Sequence, residues 1–137
     1  MHRYVFLNHT ADIGISVSAL NLEELFVSSA HGLAEIMFTI SKKINLKQTK
    51  TIIINEDDLN ALLVSWLSEF IYIFETEKLC LFKIKNIEIK NTTLKAEVEF
   101  IDANLVELKK EVKAVTYHQL NVQNQNNSWN TKIFFDV

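Results

Sequence analysis

The stretch LNALLVSWLSEFIYIF, residues 59–74, has the strongest periodicity in this chain of 137 residues. Its large apolar residues recur at intervals of three and four, the spacing of one face of an α-helix. Aromatic residues in such a stripe can line a cofactor pocket, but a stripe this regular is far more often core packing. We therefore expect a helix, opened by Asn55 or Asp57, whose apolar face contacts the core. That face consists of Leu59, Leu62, Leu63, Trp66, Leu67, Phe70, Ile71 and Phe74.

A second helix is predicted over residues 22–38. Asn21, followed three positions later by Glu24, resembles a capping box, and apolar residues then continue at helical spacing. A polar, lysine-rich loop is expected over residues 42–50. The two helices should provide one layer of the fold.

The remaining periodic segments alternate apolar and polar residues with period two, which is typical of strands. A turn at Asn91 and Thr92 is predicted to join two of them as a hairpin, and a change of phase near Asn86 predicts a β-bulge. We expect an α+β fold: a mainly antiparallel sheet with the two principal helices packed on one face. The predicted strands cover residues 3–7, 13–18, 51–54, 81–90, 94–100, 112–122 and 128–137.

Composition restricts the class of protein. The length fits one domain over residues 1–137, and 48% hydrophobic with 23% charged residues is typical of a soluble globular protein. A net charge of −3 argues against an independent nucleic-acid binder, so we expect any contact with RNA to be indirect, through a partner. One cysteine, Cys80, and the lack of an apolar leader or membrane span favour the reducing cytoplasm.

Two acidic residues lie at opposite ends of the chain, each beside a predicted strand. Asp12 belongs to the segment HTADIG, residues 9–14, and Asp136 is the second-to-last residue. Together with the chain end at Val137 they would offer the oxygen ligands that Ca²⁺ or Mg²⁺ prefers, whereas zinc fits less well. On the residues alone, a turn-capping Asp and an unrelated terminal Asp is the commoner arrangement. Gly14, beside Asp12, most simply marks a turn or bulge that needs no Cβ.

Three further residues are candidates for contacts at such a site. His9 could act with Asp12 as a base or ligand, and His118 could be catalytic or titrate as a switch. Lys113 could contact a phosphate or a partner's carboxylate. For each, a structural hydrogen bond or plain solvation is the commoner role. The chain contains no glycine-rich phosphate loop, G-x-S-x-G, C-x-x-C or H-E-x-x-H motif, so its residues indicate a binding or accessory domain rather than an enzyme.

Five segments, in order along essentially the whole chain, resemble the archease family. Each is weak by itself, but their order within one small domain is specific. They are HTADIGI (residues 9–15), LEELF (22–26), LNALLVSWLSEF (59–70), VKAVTYH (112–118) and FFDV (134–137).

The resemblance implies a function. Archeases are accessory proteins of the tRNA-splicing RNA ligase, which joins 3′-phosphate or cyclic-phosphate RNA ends to 5′-hydroxyl ends, and they promote guanylylation of the ligase and its multiple turnover. Carried over by position, the implied metal ligands are the carboxylates of Asp12 and Asp136 and the main-chain oxygen of Val137. Calcium is the implied metal, with magnesium or manganese as alternatives.

The chain departs from the family pattern at residues 101–105, which lack the usual glycine-containing turn and following histidine. This leaves the conformation and contacts of that segment open. Two alternative functions also stay open: modulation of another RNA-processing enzyme, such as a tRNA methyltransferase, and a small metal-dependent hydrolase using Asp12, His9 and His118.

Overall fold

The computed structural model describes residues 3–8 and 12–137, which fold into two α-helices and ten strands. Both helices pack against strands and against each other, and the buried side chains form one contiguous cluster. The predicted α+β class is confirmed. In chain order the elements are β1 (Tyr4–Asn8), β2 (Asp12–Ala19), α1 (Leu22–Met37), β3 (Phe38–Ile40), β4 (Gln48–Asn55), α2 (Leu59–Glu77), β5 (Leu79–Lys90), β6 (Thr93–Asp102), a 3₁₀ turn (Ala103–Leu105), β7 (Val106–Leu108), β8 (Ala114–Thr116), β9 (Gln123–Gln125) and β10 (Ser128–Asp136).

The strands pair antiparallel, as predicted, but they are divided among three sheets. The largest has the order β1-β2-β10-β8, with β9 also pairing to β10. A second sheet has the order β4-β6-β5, and β3 pairs with β7 as a two-stranded ribbon. Although β10 comes last in the chain, it lies in the middle of the largest sheet.

Helix α2 has the predicted buried stripe. Trp66, with no exposed surface, donates from Nε1 to the main-chain oxygen of Phe26 at 2.9 Å and so joins α2 to α1. The predicted start of α2 at Asn55 or Asp57 is wrong, because β4 continues to Asn55 and the cap is Asp58, whose Oδ1 accepts from the Ala61 N–H at 2.8 Å. A carboxylate that accepts from this first turn satisfies a donor that otherwise has no partner in the helix.

Helix α1 begins as predicted. Asn21 Oδ1 accepts from the Glu24 N–H at 2.9 Å. The helix ends at Met37, one residue before the predicted end, because Phe38 has extended backbone and begins β3. In the described part of the chain, neither helix is long and apolar enough to cross a membrane.

The hairpin of β5 and β6 confirms the change of phase seen in the sequence. The register shifts between Ile84 and Asn86, where a bulge was predicted, and also between Leu81 and Lys83. Its turn places Asn91 at a φ of 55°, the left-handed region that Asn tolerates better than most residues. The lysine-rich loop ends sooner than predicted, at the start of β4.

The long strand predicted over residues 112–122 is wrong. Only Ala114–Thr116 pair as β8, after which a turn closes with the Leu120 N–H donating to Tyr117 O at 3.1 Å. Gln119 has a φ of 56°, which ends any strand. The Val122 N–H then donates to Asn60 Oδ1 at 2.8 Å, a partner in α2 rather than in a sheet.

The segment that departs from the family pattern, residues 101–105, has a defined structure. Strand β6 continues to Asp102, whose Oδ1 accepts from the Asn104 N–H at 2.9 Å. This bond opens the 3₁₀ turn, and the chain then pairs with β3 through β7.

Candidate metal centre

The two acidic residues at opposite ends of the chain are direct neighbours in the largest sheet. Asp12, the first residue of β2, pairs with Asp136, the last residue of β10. Residues directly opposite each other on antiparallel strands have Cβ atoms about 4.5–5.5 Å apart. Ala114 of β8 pairs with Asp136 on its other side, so the three residues form one row across the sheet. We call this the acidic row.

Main-chain hydrogen bonding fixes the position of the row on the β8 side. The Lys113 N–H donates to the main-chain oxygen of Asp136 at 2.8 Å. The Lys113 side chain is exposed. Val137 follows directly and packs, partly buried, against the core. The main-chain groups of Lys113 and Val137 therefore lie beside the two acids.

The electrostatics of the acidic row favour a bound cation. Two like charges directly opposite each other on neighbouring strands repel. Within residues 3–8 and 12–137, neither carboxylate takes part in a hydrogen bond or an ion pair. Asp12 is half-buried and Asp136 is exposed. A cation held between them would offset this repulsion.

The donor set fits a hard cation. Ca²⁺ and Mg²⁺ take carboxylate, main-chain and water oxygens, which is what this row offers. Among the described residues, no group of three or more His, Cys, Asp or Glu side chains comes together, so the nitrogen and sulfur ligands of a typical zinc site are lacking there. The fit is to a site with two side-chain ligands that is completed by main chain, water or a partner.

His118 lies close to the row but in a different environment. Its ring contacts Phe134 edge-on, with ring centroids 5.3 Å apart. Its main-chain N–H donates to Thr116 Oγ1 at 3.3 Å. Phe134 shares the strand face of Asp136, two residues away. Thr116 therefore bonds to the backbone of His118 and not to its ring. His9, the other predicted histidine, lies outside the described residues.

Sequence reasoning missed how Phe134 and Gly14 support the row. Gly14 lies within β2, neither in a turn nor at a bulge, and pairs directly with Phe134. A Cβ at Gly14 would be 2.5 Å from Phe134 Cε1, so the ring occupies the place of a side chain. Phe134 is only 1% exposed although it faces away from Ile133 and Phe135. The sequence carries one signal of this packing: a glycine in one strand pattern and an aromatic residue in another. The signal can be used only when the two strands are known to pair.

Three comparisons relate this chain to known proteins. Residues 4–137 match the sequence profile of the Archease protein family. The protein archease of Sulfurisphaera tokodaii is 34% identical over 140 residues, covering 100% of both chains, and that of Methanosarcina barkeri is 32% identical over 141 residues, covering 98% of this chain and 96% of the other.

Solved structures have the same fold. The solution structure of Methanobacterium thermoautotrophicum protein 1598 is similar with a TM-score of 0.74 and 26% identity, covering 100% of both chains. The crystal structure of an archease from Thermotoga maritima, described as a possible chaperone, has a TM-score of 0.70 at 22% identity and covers 100% of this chain and 99% of the other. At 22% identity, the similarity to the Thermotoga maritima structure shows a shared fold alone.

Proposed function

The chain belongs to the archease family, and from this we propose that it is a non-catalytic accessory protein of the tRNA-splicing RNA ligase. In this proposal it acts in the cytoplasm, promotes guanylylation of the ligase and sustains its multiple turnover. It contacts RNA only through the ligase, in keeping with its net charge of −3. The curated relatives over nearly full length support an archease-type role.

The observation that carries the proposal is the acidic row. Asp12 and Asp136 would hold a divalent metal through their carboxylates and Val137 through its main-chain oxygen, with calcium as the expected metal and magnesium or manganese as alternatives. The exposure of Asp136 leaves the row accessible to a partner protein. When bound, such a metal supplies positive charge that stabilises phosphate oxygens during nucleotide transfer.

Lys113 and His118 flank the row and are proposed contacts with the ligase. The main chain of Lys113 is tied to Asp136, so the residue lies at the edge of the row, and its side chain is exposed. An ammonium group there suits a phosphate or a carboxylate of the partner. His118, held against Phe134, presents an exposed ring near the same point.

Metal binding is tested first, without the ligase. Calcium should raise the melting temperature of the protein, since a ligand present at about 100 times its Kd stabilises the folded state by about 2.7 kcal/mol. Removal with EDTA should reverse the shift. Asp12→Asn and Asp136→Asn should abolish it, whereas Asp57→Asn, at an exposed acid elsewhere, should retain it. A calcium response in Asp136→Asn equal to that of the unmodified protein would contradict the site.

The activating role is tested with the cognate ligase. Guanylylation and multiple-turnover ligation are measured with and without this protein, with added calcium or magnesium. We expect stimulation that Asp12→Asn and Asp136→Asn lose and Asp57→Asn keeps. Full stimulation by a folded Asp12→Asn variant would refute a role for the acidic row. If pull-down instead recovers a tRNA methyltransferase and no ligase, the alternative partner is correct.

A further inference from the structure

Strand β4 leaves one edge of the three-stranded sheet open. It is eight residues long and pairs with β6 alone, in continuous register from Gln48 to Asn55. The opposite edge of the same sheet, β5, carries two bulges, which disrupt pairing with further strands. Within residues 3–8 and 12–137, no backbone hydrogen bond reaches the outer side of β4. The strand therefore offers an unbroken row of main-chain donors and acceptors.

Helix α2 lies beside this edge and turns it into a cleft. The cleft has a volume of about 380 Å³. One wall is β4, and the other is a single face of α2, since the residues that line it are spaced by four. The lining residues are Lys50, Thr51, Ile52, Ile53, Glu69, Ile73 and Glu77. An edge strand beside a helix is the geometry into which extended peptides add as an extra strand.

The charged groups of the cleft are mainly acidic. Glu77 pairs with Lys50 at 2.8 Å, which uses the cleft's lysine. Glu69 is half-buried and has no hydrogen bond or ion pair within the described residues. Glu56, which follows β4, accepts from Ser65 Oγ on α2 at 2.6 Å. One end of the cleft is thus closed by a salt bridge, and its middle holds an unpaired carboxylate.

The outer face of β4 has different chemistry. The side chains of Thr49, Thr51 and Ile53 point away from the core, and Ile53 is 67% exposed. A strand added to β4 would alternate between the two faces. Side chains on one face would meet Glu69, and those on the other would lie beside Ile53.

We propose that the cleft between β4 and α2 binds an extended segment of a partner protein, which pairs with β4 as a fourth strand. The segment carries Lys or Arg on the face toward Glu69 and apolar or β-branched residues on the face toward Ile53. Charge complementarity with Glu69 selects a basic segment. This surface belongs to a different sheet from the acidic row, so the inference does not depend on the metal or on the ligase.

A second copy of this chain suits the cleft less well. Pairing of β4 with β4 would bring Glu69 and Glu77 of both copies to one interface, between two chains of net charge −3. Like charges in such an interface oppose association. The charge of the cleft therefore favours a basic heterologous segment.

The probe is an acetylated and amidated octapeptide of alternating Lys and Val, compared with its Glu and Val counterpart. Backbone amide NMR should show shifts within residues 48–55 and 69–77 on addition of the basic peptide, with slower hydrogen exchange in β4. Affinity, measured by fluorescence anisotropy, should fall with added salt. Glu69→Lys should weaken binding about tenfold and Glu69→Gln less, because a reversed charge repels where a neutral one does not.

The matched control lies on the opposite edge of the same sheet. Glu88 is exposed and pairs with Lys90 at 3.4 Å, so Glu88→Lys makes the same change of charge away from the cleft and should leave the affinity unchanged. Equal binding of the acidic peptide, equal weakening by Glu88→Lys, or shifts confined to other strands would overturn the proposal. A peptide-independent dimer with protected β4 amides would also overturn it, in favour of a second copy.

Discussion

At the scale of single residues, position 14 requires glycine because there is no room for a side chain, and not because of its backbone conformation. Its φ is not positive, so an L-residue could adopt the same backbone. The obstacle is the ring of Phe134, with Cε1 and Cδ1 at 2.5 and 2.6 Å from an added Cβ, and the Ile133 main-chain oxygen at 3.2 Å. Any side chain at Gly14 must displace the ring on which His118 packs.

Gly14→Ala should therefore lower the free energy of unfolding by about 1–3 kcal/mol, the usual cost of overpacking a filled site. Urea denaturation followed by tryptophan fluorescence measures the change. Gly32→Ala is the matched control. Its nearest obstacle is the flexible tip of Ile15, Cδ1 at 2.8 Å, and alanine is favoured over glycine inside a helix by about 0.5–1 kcal/mol. Equal losses in both variants would contradict this explanation of Gly14.

At the scale of secondary structure elements, the start of α2 is fixed by one side chain. Asp58 accepts from the Ala61 N–H, while the neighbouring Asp57 is exposed and has no hydrogen bond within the described residues. Asp58→Ala should cost about 1 kcal/mol of unfolding free energy, the typical value for loss of an N-cap, whereas Asp57→Ala should change it by less than about 0.5 kcal/mol. Thermal unfolding of the two variants measures the difference. A larger loss of unfolding free energy in Asp57→Ala than in Asp58→Ala would instead support the helix start at Asp57 that was predicted from the sequence.

Elements whose signals are local could be predicted, and those set by distant partners could not. The stripe of α2 and the change of phase near Asn86 are visible in neighbouring residues, and both are confirmed. The alternation through Val122 looked like one long strand, because a turn at Gln119 and a bond from Val122 to Asn60 leave the pattern of apolar residues unaltered.

For the same reason, only part of the candidate site could be predicted from the sequence. The sequence marked Asp12 and Asp136 as acids at strand ends, but their pairing depends on a register between β2 and β10 that no local pattern specifies. The resemblance to archeases supplied that juxtaposition. Neither source indicated the pairing of Gly14 with Phe134, because it too exists only once the register is known.

At the scale of the whole molecule, two weak acids couple folding to alkaline pH: the half-buried Tyr4 and the buried Cys80. Burial, with the hydrogen bond to Glu35 and its charge, raises the pKa of Tyr4 from 10.0 to about 12. Burial, with the charge of Asp102, raises the pKa of the Cys80 thiol from 9.0 to about 12. Both groups are held neutral by the fold, so deprotonation favours the unfolded chain.

Stability should be pH-independent with respect to these groups below about pH 8, where both are protonated even in the unfolded chain, and should fall as the pH rises toward 12. Tyr4→Phe keeps the ring against α1 but removes the hydroxyl that donates to Glu35 Oε2 at 3.0 Å, so it should flatten the decline between pH 10 and 12. Urea midpoints measured at several pH values test this. A Tyr4→Phe curve parallel to that of the unmodified protein would show that Tyr4 does not contribute.

The central position of β10 has a consequence for the order of assembly. In chain order β2 comes early, whereas its neighbour β10 follows all the other helices and strands. During synthesis, β2 therefore emerges well before the strand with which it pairs on this side. Non-local pairings of this kind form slowly. Asp12 meets Asp136 only once β10 has paired with β2. The acidic row therefore exists only in molecules whose largest sheet has closed, and separated β2 or β10 would each carry one acid without its neighbour.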